Sequence, residues 1–164
     1  MMTPDPATFV HSLQELIAWR SKASQEGKRM VLTNGCFDLL HRGHISYLHQ
    51  SAQLGDLLVV AVNSDDSVRE LKGPGRPIHS ELDRAYAIAS LRCVDAAFVF
   101  RGPRLDHEII ALKPDIYTKA GDYTLDTLDP SERAALESVG SQICLMPFIQ
   151  GHSTTNLIER ASQG

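Results

Sequence analysis

The sequence predicts a doubly wound, Rossmann-like α/β domain built on a five-stranded parallel sheet, and three observations carry that prediction. Short apolar runs alternate with segments of helical periodicity from Met30 to the carboxyl end. The most apolar run, Leu57-Leu58-Val59-Val60-Ala61-Val62, has no polar alternation, as expected of a strand covered on both faces. The polar motifs Thr33–His44, Asn63–Asp66, Lys119–Tyr123 and Gly151–Thr155 each follow an apolar run. In such a sheet they gather at its carboxyl edge, where ligands bind near the reversal of strand order.

Taken in order, Asp5-Pro6 is expected to open a helix. Phe9, Leu13, Leu16, Ile17 and Ala18 continue it at helical spacing to Gly27. This segment, residues 1–27, packs on a single domain of residues 1–164, and Trp19 covers the core. Arg29-Met30-Val31-Leu32 is the first strand. Ile45, Leu48 and Leu54, with Tyr47, mark one face of the following helix, which Gly55 is expected to cap. The second strand ends in the polar turn Asn63-Ser64-Asp65-Asp66. Lys72-Gly73-Pro74-Gly75-Arg76-Pro77 is too rich in Gly and Pro to be regular; it is a linker by composition, yet it carries two cations in an acidic chain. Ser80-Glu81-Leu82-Asp83 resembles a capping box at the head of a helix through Leu91. Ala96–Phe100 is the third strand. A helix over 104–112 stops before Pro114, the fourth strand covers Asp115–Lys119, and Asp129-Pro130 opens another helix. Gln142–Met146 is the fifth strand and Ser153 caps the last helix.

At 164 residues, 43% hydrophobic and 22% charged, the chain is an ordinary globule that buries a core without staples. Three cysteines with no C-x-x-C spacing suit a reducing compartment. No apolar run reaches membrane-spanning length, so a cytoplasmic location is expected. A formal charge of -4 argues against a general nucleic-acid binder but not against small phosphorylated substrates, for which local cations suffice.

The chemistry concentrates at Thr33–His44. A strand-to-helix junction exposes unpaired N–H groups and the positive end of a helix dipole, a natural phosphate site, and His41 and His44 are spaced to reach one anion. Among seven histidines a chance H-x-x-H pair is unremarkable. Zinc fits poorly: His49 lies five residues from His44, off its helical face, and no cysteine or acidic cluster completes a tetrahedral set. Ser153-Thr154-Thr155 is either a helix cap or, with the other motifs, a triphosphate grip.

Gly35-Cys36-Phe37-Asp38 followed by His41-Arg42-Gly43-His44 resembles the G-x-F-D and H-x-G-H signature of the nucleotidylyltransferase superfamily. Within it the chain is most similar to bacterial D-glycero-β-D-manno-heptose 1-phosphate adenylyltransferases. That likeness rests on Thr33–Asp38, Val62–Asp65, Leu71–Gly73 with Arg76-Pro77, Lys119–Tyr123 and Ser153–Asn156. The resemblance implies direct AMP transfer from ATP to a sugar 1-phosphate with release of pyrophosphate and no covalent enzyme intermediate. Such chemistry needs positioning and charge neutralisation.

It further implies His41, His44 and Lys72 as catalytic groups. The nucleotide would be held by Asn34, Gly35, Cys36, Phe37, Lys119, Gly121, Ser153, Thr154 and Thr155, together with both histidines. Asp38, Asp65, Arg76 and Asp122 would meet substrate. Asp38 either orients sugar hydroxyls or stabilises its turn, and Asp65 and Asp122 have ribose, sugar or Mg²⁺ as alternative partners. Mg²⁺ is expected with ATP.

Ala120 stands where the family has glycine. Phe148 stands near the arginine of the similar glycerol 3-phosphate cytidylyltransferases, which favours ATP over CTP. A homodimer and a separate upstream sugar kinase are expected. A nucleotide-sensing module and a flavodoxin-like signalling domain are the competing classes, and release of pyrophosphate separates them from an enzyme.

Overall fold

The computed structural model describes residues 4–121 and 123–147, together with 158 and 161. Its strands are β1 (Met30–Gly35), β2 (Leu57–Asn63), β3 (Ala96–Phe100), β4 (Ile116–Ala120) and β5 (Gln142–Met146). They form one parallel sheet in the order β3-β2-β1-β4-β5. The chain winds outward one way from β1 through β3, then returns to place β4 on the other side of β1. The carboxyl ends of β1 and β4 therefore flank the switch point.

Helices α1 (Leu13–Gln25), α5 (Asp106–Leu112) and α6 (Pro130–Ser138) supply Leu16, Ile109, Leu112, Ala135 and Leu136 to one face, against Leu32, Val59, Phe98 and Tyr117. Helices α2 (Arg42–Ala52) and α4 (Glu81–Ala89) supply Tyr47, Leu48, Ala85 and Ile88 to the other, against Val31, Leu58, Val60 and Ala97. Successive residues of β1 and β2 point to opposite cores, which is why β2 is apolar from Leu57 to Val62. Trp19 packs, partly buried, against the first cluster, as its helical spacing implied.

Four local expectations change. The amino-terminal helix is interrupted: Asp5 caps only a 3-10 turn over Pro6–Phe9, and α1 starts afresh at Ser12. Between the two, Val10 bridges to Ala97 and His11 N–H donates to the Ala97 carbonyl, so the edge of the sheet captures the backbone there. Ser12 and Glu15 then form a complete capping box, a local signal that outweighs continuation from the earlier proline.

β1 runs on through Thr33, Asn34 and Gly35 in register with Val60, Ala61 and Val62. The polar turn after β2 continues as an unanticipated helix α3 (Asp65–Lys72), whose cap is Ser64 and whose first turn carries Asp65 and Asp66. Gly55 is not a left-handed cap: α2 already ends at Ala52, with Gln53 as its cap. Its lack of a side chain serves close approach instead, because a Cβ there would lie 2.8 Å from the Arg29 carbonyl oxygen and from Val31 Cγ2. Ser153 to Thr155, at the head of the expected last helix, lie outside the described residues, whereas Ile158 and Ala161 are helical.

Candidate active site

Helix α2 is fixed to the switch point by hydroxyl groups. Tyr47 and Ser51, four residues apart on the buried face of α2, meet Thr33 of β1 and Thr118 of β4. The Thr33 and Tyr47 hydroxyls are 2.6 Å apart, Tyr47 donates to Thr118 Oγ1 at 3.0 Å, and Ser51 Oγ lies 3.0 Å from that same oxygen. Thr33 Oγ1 also donates to the Thr118 carbonyl at 3.0 Å. Each of these buried hydroxyls is paired, so the network orients the helix without leaving a desolvated polar group.

The amino end of α2 is formed by the turn after β1. Phe37 takes a left-handed backbone, φ +47°, and lays its ring over Gly35. A Cβ at residue 35 would sit 2.9 Å from that ring and push it aside, so packing rather than φ favours glycine here. The edge of Phe37 meets the His44 ring, with centroids 5.4 Å apart and planes at 69°. His44 in turn stacks on His41 at 3.8 Å and 23°.

His41 is the cap residue of α2. Its Nδ1 accepts from Gly43 N–H at 3.1 Å, which leaves the proton of the neutral ring on Nε2. The pKa of His44 is pushed down to about 4, chiefly by burial and secondly by the neighbouring His41, with backbone contact from Leu39 opposing. Its Nδ1 is buried and makes no hydrogen bond of acceptable geometry. Near neutral pH, without ligand, His44 is thus a neutral donor held at a helix amino terminus, and an arriving anion favours its protonation. Gly35→Ala is expected to displace Phe37 from His44 and lower kcat by roughly tenfold or more, since small misplacements of catalytic groups are costly. Steady-state kinetics beside a Tm measurement checks it, and unchanged turnover would show that the ring contact is dispensable.

Around the turn, charged groups lock onto one another. The buried carboxylate of Asp38 accepts from Arg76 Nε at 2.5 Å, from Ile78 N–H at 2.8 Å and from His79 N–H at 3.0 Å. Burial would raise its pKa, but these three donors together hold it below the usual carboxylate range. Asp38 thereby ties the loop 73–80 to the end of β1, and Arg76, expected at the substrate, is its ion-pair partner.

Asp65 likewise accepts from Arg84 Nη2 at 2.8 Å. Arg84 is a residue the sequence reading missed. Its side chain is fully buried, and it also donates to the Cys36 carbonyl at 2.6 Å and the His79 carbonyl at 3.0 Å. The available signal was an arginine set four residues before Ile88, at apolar-face spacing in α4. Lys72 ends α3 and is exposed. Burial raises the Cys36 thiol pKa, and the charges of Lys72, Arg84 and Arg76 oppose it.

Across the switch point, Asn34 and Lys119 come together although 85 positions apart in sequence. Lys119 Nζ lies 3.2 Å from Asn34 Oδ1, 3.2 Å from the Tyr117 hydroxyl and 3.6 Å from Glu132 Oε2. It also sits 5.4 Å from the Tyr123 ring centroid. Glu132, buried in α6, accepts from Leu105 N–H at 3.1 Å. Gly121, φ +134°, follows β4 and donates its N–H to the Met146 carbonyl at 3.0 Å.

Of the expected site residues, the structure gathers His41, His44, Gly35, Cys36, Phe37, Asp38, Asp65, Lys72 and Arg76 around the β1–α2 turn, and Asn34 with Lys119 beside it. Asp122, Ser153, Thr154 and Thr155 lie outside the described residues. No described helix is long and apolar enough to cross a membrane.

Comparison with known proteins agrees with this geometry. A family described as cytidylyltransferase-like matches residues 32–160. The chain is 48% identical over 136 residues to the bifunctional protein HldE of Syntrophotalea carbinolica, covering 83% of this chain and 27% of that protein. It is 44% identical over 161 residues to HldE of Geotalea uraniireducens, covering 98% and 32% respectively. It therefore spans about a third or less of the length of these relatives. A crystal structure of a lipopolysaccharide core biosynthesis protein from Thermoplasma volcanium matches 77% of this chain and all of its own at 33% identity, TM-score 0.62. A pantoate-beta-alanine ligase from Francisella tularensis, solved with an ATP analogue and beta-alanine, shares the fold alone at 13% identity, TM-score 0.59. With the family match covering most of the sheet and the whole β1–α2 turn, this chain belongs to the cytidylyltransferase-like family and is an enzyme of the nucleotidyltransferase superfamily.

Proposed function

We propose that the chain transfers AMP from ATP to D-glycero-β-D-manno-heptose 1-phosphate, yielding ADP-heptose and pyrophosphate. The observation that carries this is the stacked His41–His44 pair at the amino end of α2, on a turn that Arg76 and Arg84 brace through Asp38 and the Cys36 carbonyl. In the reaction an oxygen of the sugar phosphate bonds to the α-phosphorus, the bond from that phosphorus to the α–β bridging oxygen breaks, and pyrophosphate carries away the charge. Histidine N–H groups and the helix dipole meet that charge as it develops, and Lys72 reaches the phosphates from the exposed end of α3. Ser153, Thr154 and Thr155 complete the grip on the triphosphate in this reading.

The nucleotide base and the sugar rest on the HldE relatives and on Phe148 in place of an arginine. Among the described residues no three His, Cys, Asp or Glu side chains converge. In this reading Mg²⁺ would arrive on the triphosphate and neutralise phosphate charge, with Asp65 or Asp122 adding one carboxylate. A sugar kinase activity, on another domain or another chain, supplies the 1-phosphate. The test is a coupled pyrophosphate assay over ATP and CTP with heptose 1-phosphate and glycerol 3-phosphate. Release is expected from ATP with the heptose, with discrimination against the CTP pair reaching ~10⁴ where buried polar groups lose partners. Preference for CTP with glycerol 3-phosphate would overturn the substrates and keep the reaction class; silence with every pair would favour a binding module.

A further inference from the structure

Asn34 lies at the carboxyl end of β1, half-buried, and the orientation of its amide is decided by its neighbours. Lys119 Nζ approaches one terminal atom of that amide at 3.2 Å and the Tyr117 hydroxyl approaches the same atom at 2.8 Å. An ammonium has donors and no acceptor, so this atom must be the oxygen, Oδ1. Tyr117 accepts from Lys119 at 3.2 Å and spends its single proton on Asn34. The third direction of Lys119 faces Glu132 Oε2 at 3.6 Å, whose other oxygen is anchored by Leu105 N–H. A relay from α6 through β4 thus clamps Oδ1 and, among the described residues, engages neither N–H bond of Nδ2.

We propose that Asn34 is a fixed, donor-only reader of a substrate phosphate, held in that sense by Lys119, Tyr117 and Glu132. This rests on the nucleotidyl-transfer reading above and assigns the side chain a task within it. The chemistry favours an anion. The positive end of the amide dipole points away from Lys119, and the ammonium behind Oδ1 draws electron density from the N–H groups, strengthening them as donors. Lys119 was expected to touch nucleotide. Its three protons already face three acceptors, so it is a positioning residue that acts through Asn34, and Glu132 positions Lys119 in turn.

The discriminating substitution is Asn34→Asp. The carboxylate offers Lys119 and Tyr117 the same oxygen, so a merely structural Asn34 predicts that Asp outperforms Ala. A donor to phosphate predicts the reverse, because Asp places a negative oxygen where Nδ2 stood. Tm, ATP affinity by calorimetry and kcat/KM for the sugar phosphate are measured for wild type, Asn34→Asp and Asn34→Ala. Asn34→Ser replaces the alanine variant should that unfold.

The expected result is an Asn34→Asp protein with Tm at or above that of Asn34→Ala and function at least roughly tenfold worse. A deficit in ATP affinity assigns the contact to a nucleotide phosphate; a deficit only in kcat/KM for the sugar phosphate assigns it to the acceptor. Asn34→Asp equal to or better than the alanine variant in both measures would overturn the inference, as would its failure to fold. Wild-type protein that binds no ATP would instead overturn the functional reading itself.

Discussion

His44→Ala is expected to lower kcat by at least ~10²-fold while leaving stability at neutral pH almost unchanged, the scale of loss when a preorganised donor to a developing charge is removed. The two halves of that result have separate causes. His44 gives up little on truncation: its contacts are the His41 stack, the Phe37 ring and the backbone of Leu39, and its buried Nδ1 makes no well-formed hydrogen bond.

The ring also carries an acid penalty that the variant lacks. With a folded pKa of about 4, against an unfolded value near that of a free histidine, the unfolded chain binds more protons between roughly pH 6.5 and 4. Stability contributed by the neutral ring is therefore present above about pH 6.5 and is lost as pH falls toward 4. Discounted for partial exposure, the loss is on the order of 2 kcal/mol. Urea midpoints at pH 7.5 and 4.5 should show His44→Ala losing less stability on acidification than wild type. Normal turnover in the variant would remove His44 from the mechanism, and equal acid sensitivity would remove the depressed pKa.

Arg84→Met is expected to cost about 3–5 kcal/mol, the range for breaking a buried ion pair from one side. Three acceptors lose their donor together: Asp65 Oδ1, the Cys36 carbonyl and the His79 carbonyl. For a domain of this size that corresponds to a fall in Tm of roughly 10 °C. Because the three acceptors belong to α3, the β1–α2 turn and the loop that Asp38 clamps, turnover should fall even at temperatures where the variant is folded. Arg84→Lys keeps the charge but has no planar fork with which to reach three directions, so it should recover only part of the loss. A Tm within a degree or two of wild type would show that these groups find other partners and that Arg84 does not organise the site.

Much of the fold was legible because its signals are local. Apolar runs of β1 to β5, Asp129-Pro130 at the head of α6 and the glycine turn into H-x-G-H act over a few residues, so a linear reading recovers them. Even local reading failed where two signals competed. Asp5-Pro6 and Ser12–Glu15 both announce helix starts, and capture of His11 N–H by Ala97, 86 positions away in numbering, decided that both stand as separate elements. Ser64 was legible as a cap in principle, but the short helix it opens was masked by its polar first turn.

By itself the sequence determined the alternation of strand and helix, the double burial of the central strands and the chemistry-bearing turn at Gly35–His44, since these depend on side-chain periodicity and backbone preference over neighbouring residues. Only the tertiary structure decided which protein groups the polar residues meet. Asp38 meets Arg76 and the loop 73–80 across 38 to 41 positions, Arg84 meets Cys36 across 48, and Lys119 meets Asn34 across 85. The same carboxylate or ammonium serves as ligand contact or internal clamp according to which partner the winding of the sheet brings within about 3 Å, and burial, which sets the proton affinity of His44, exists only once both faces of the sheet are covered.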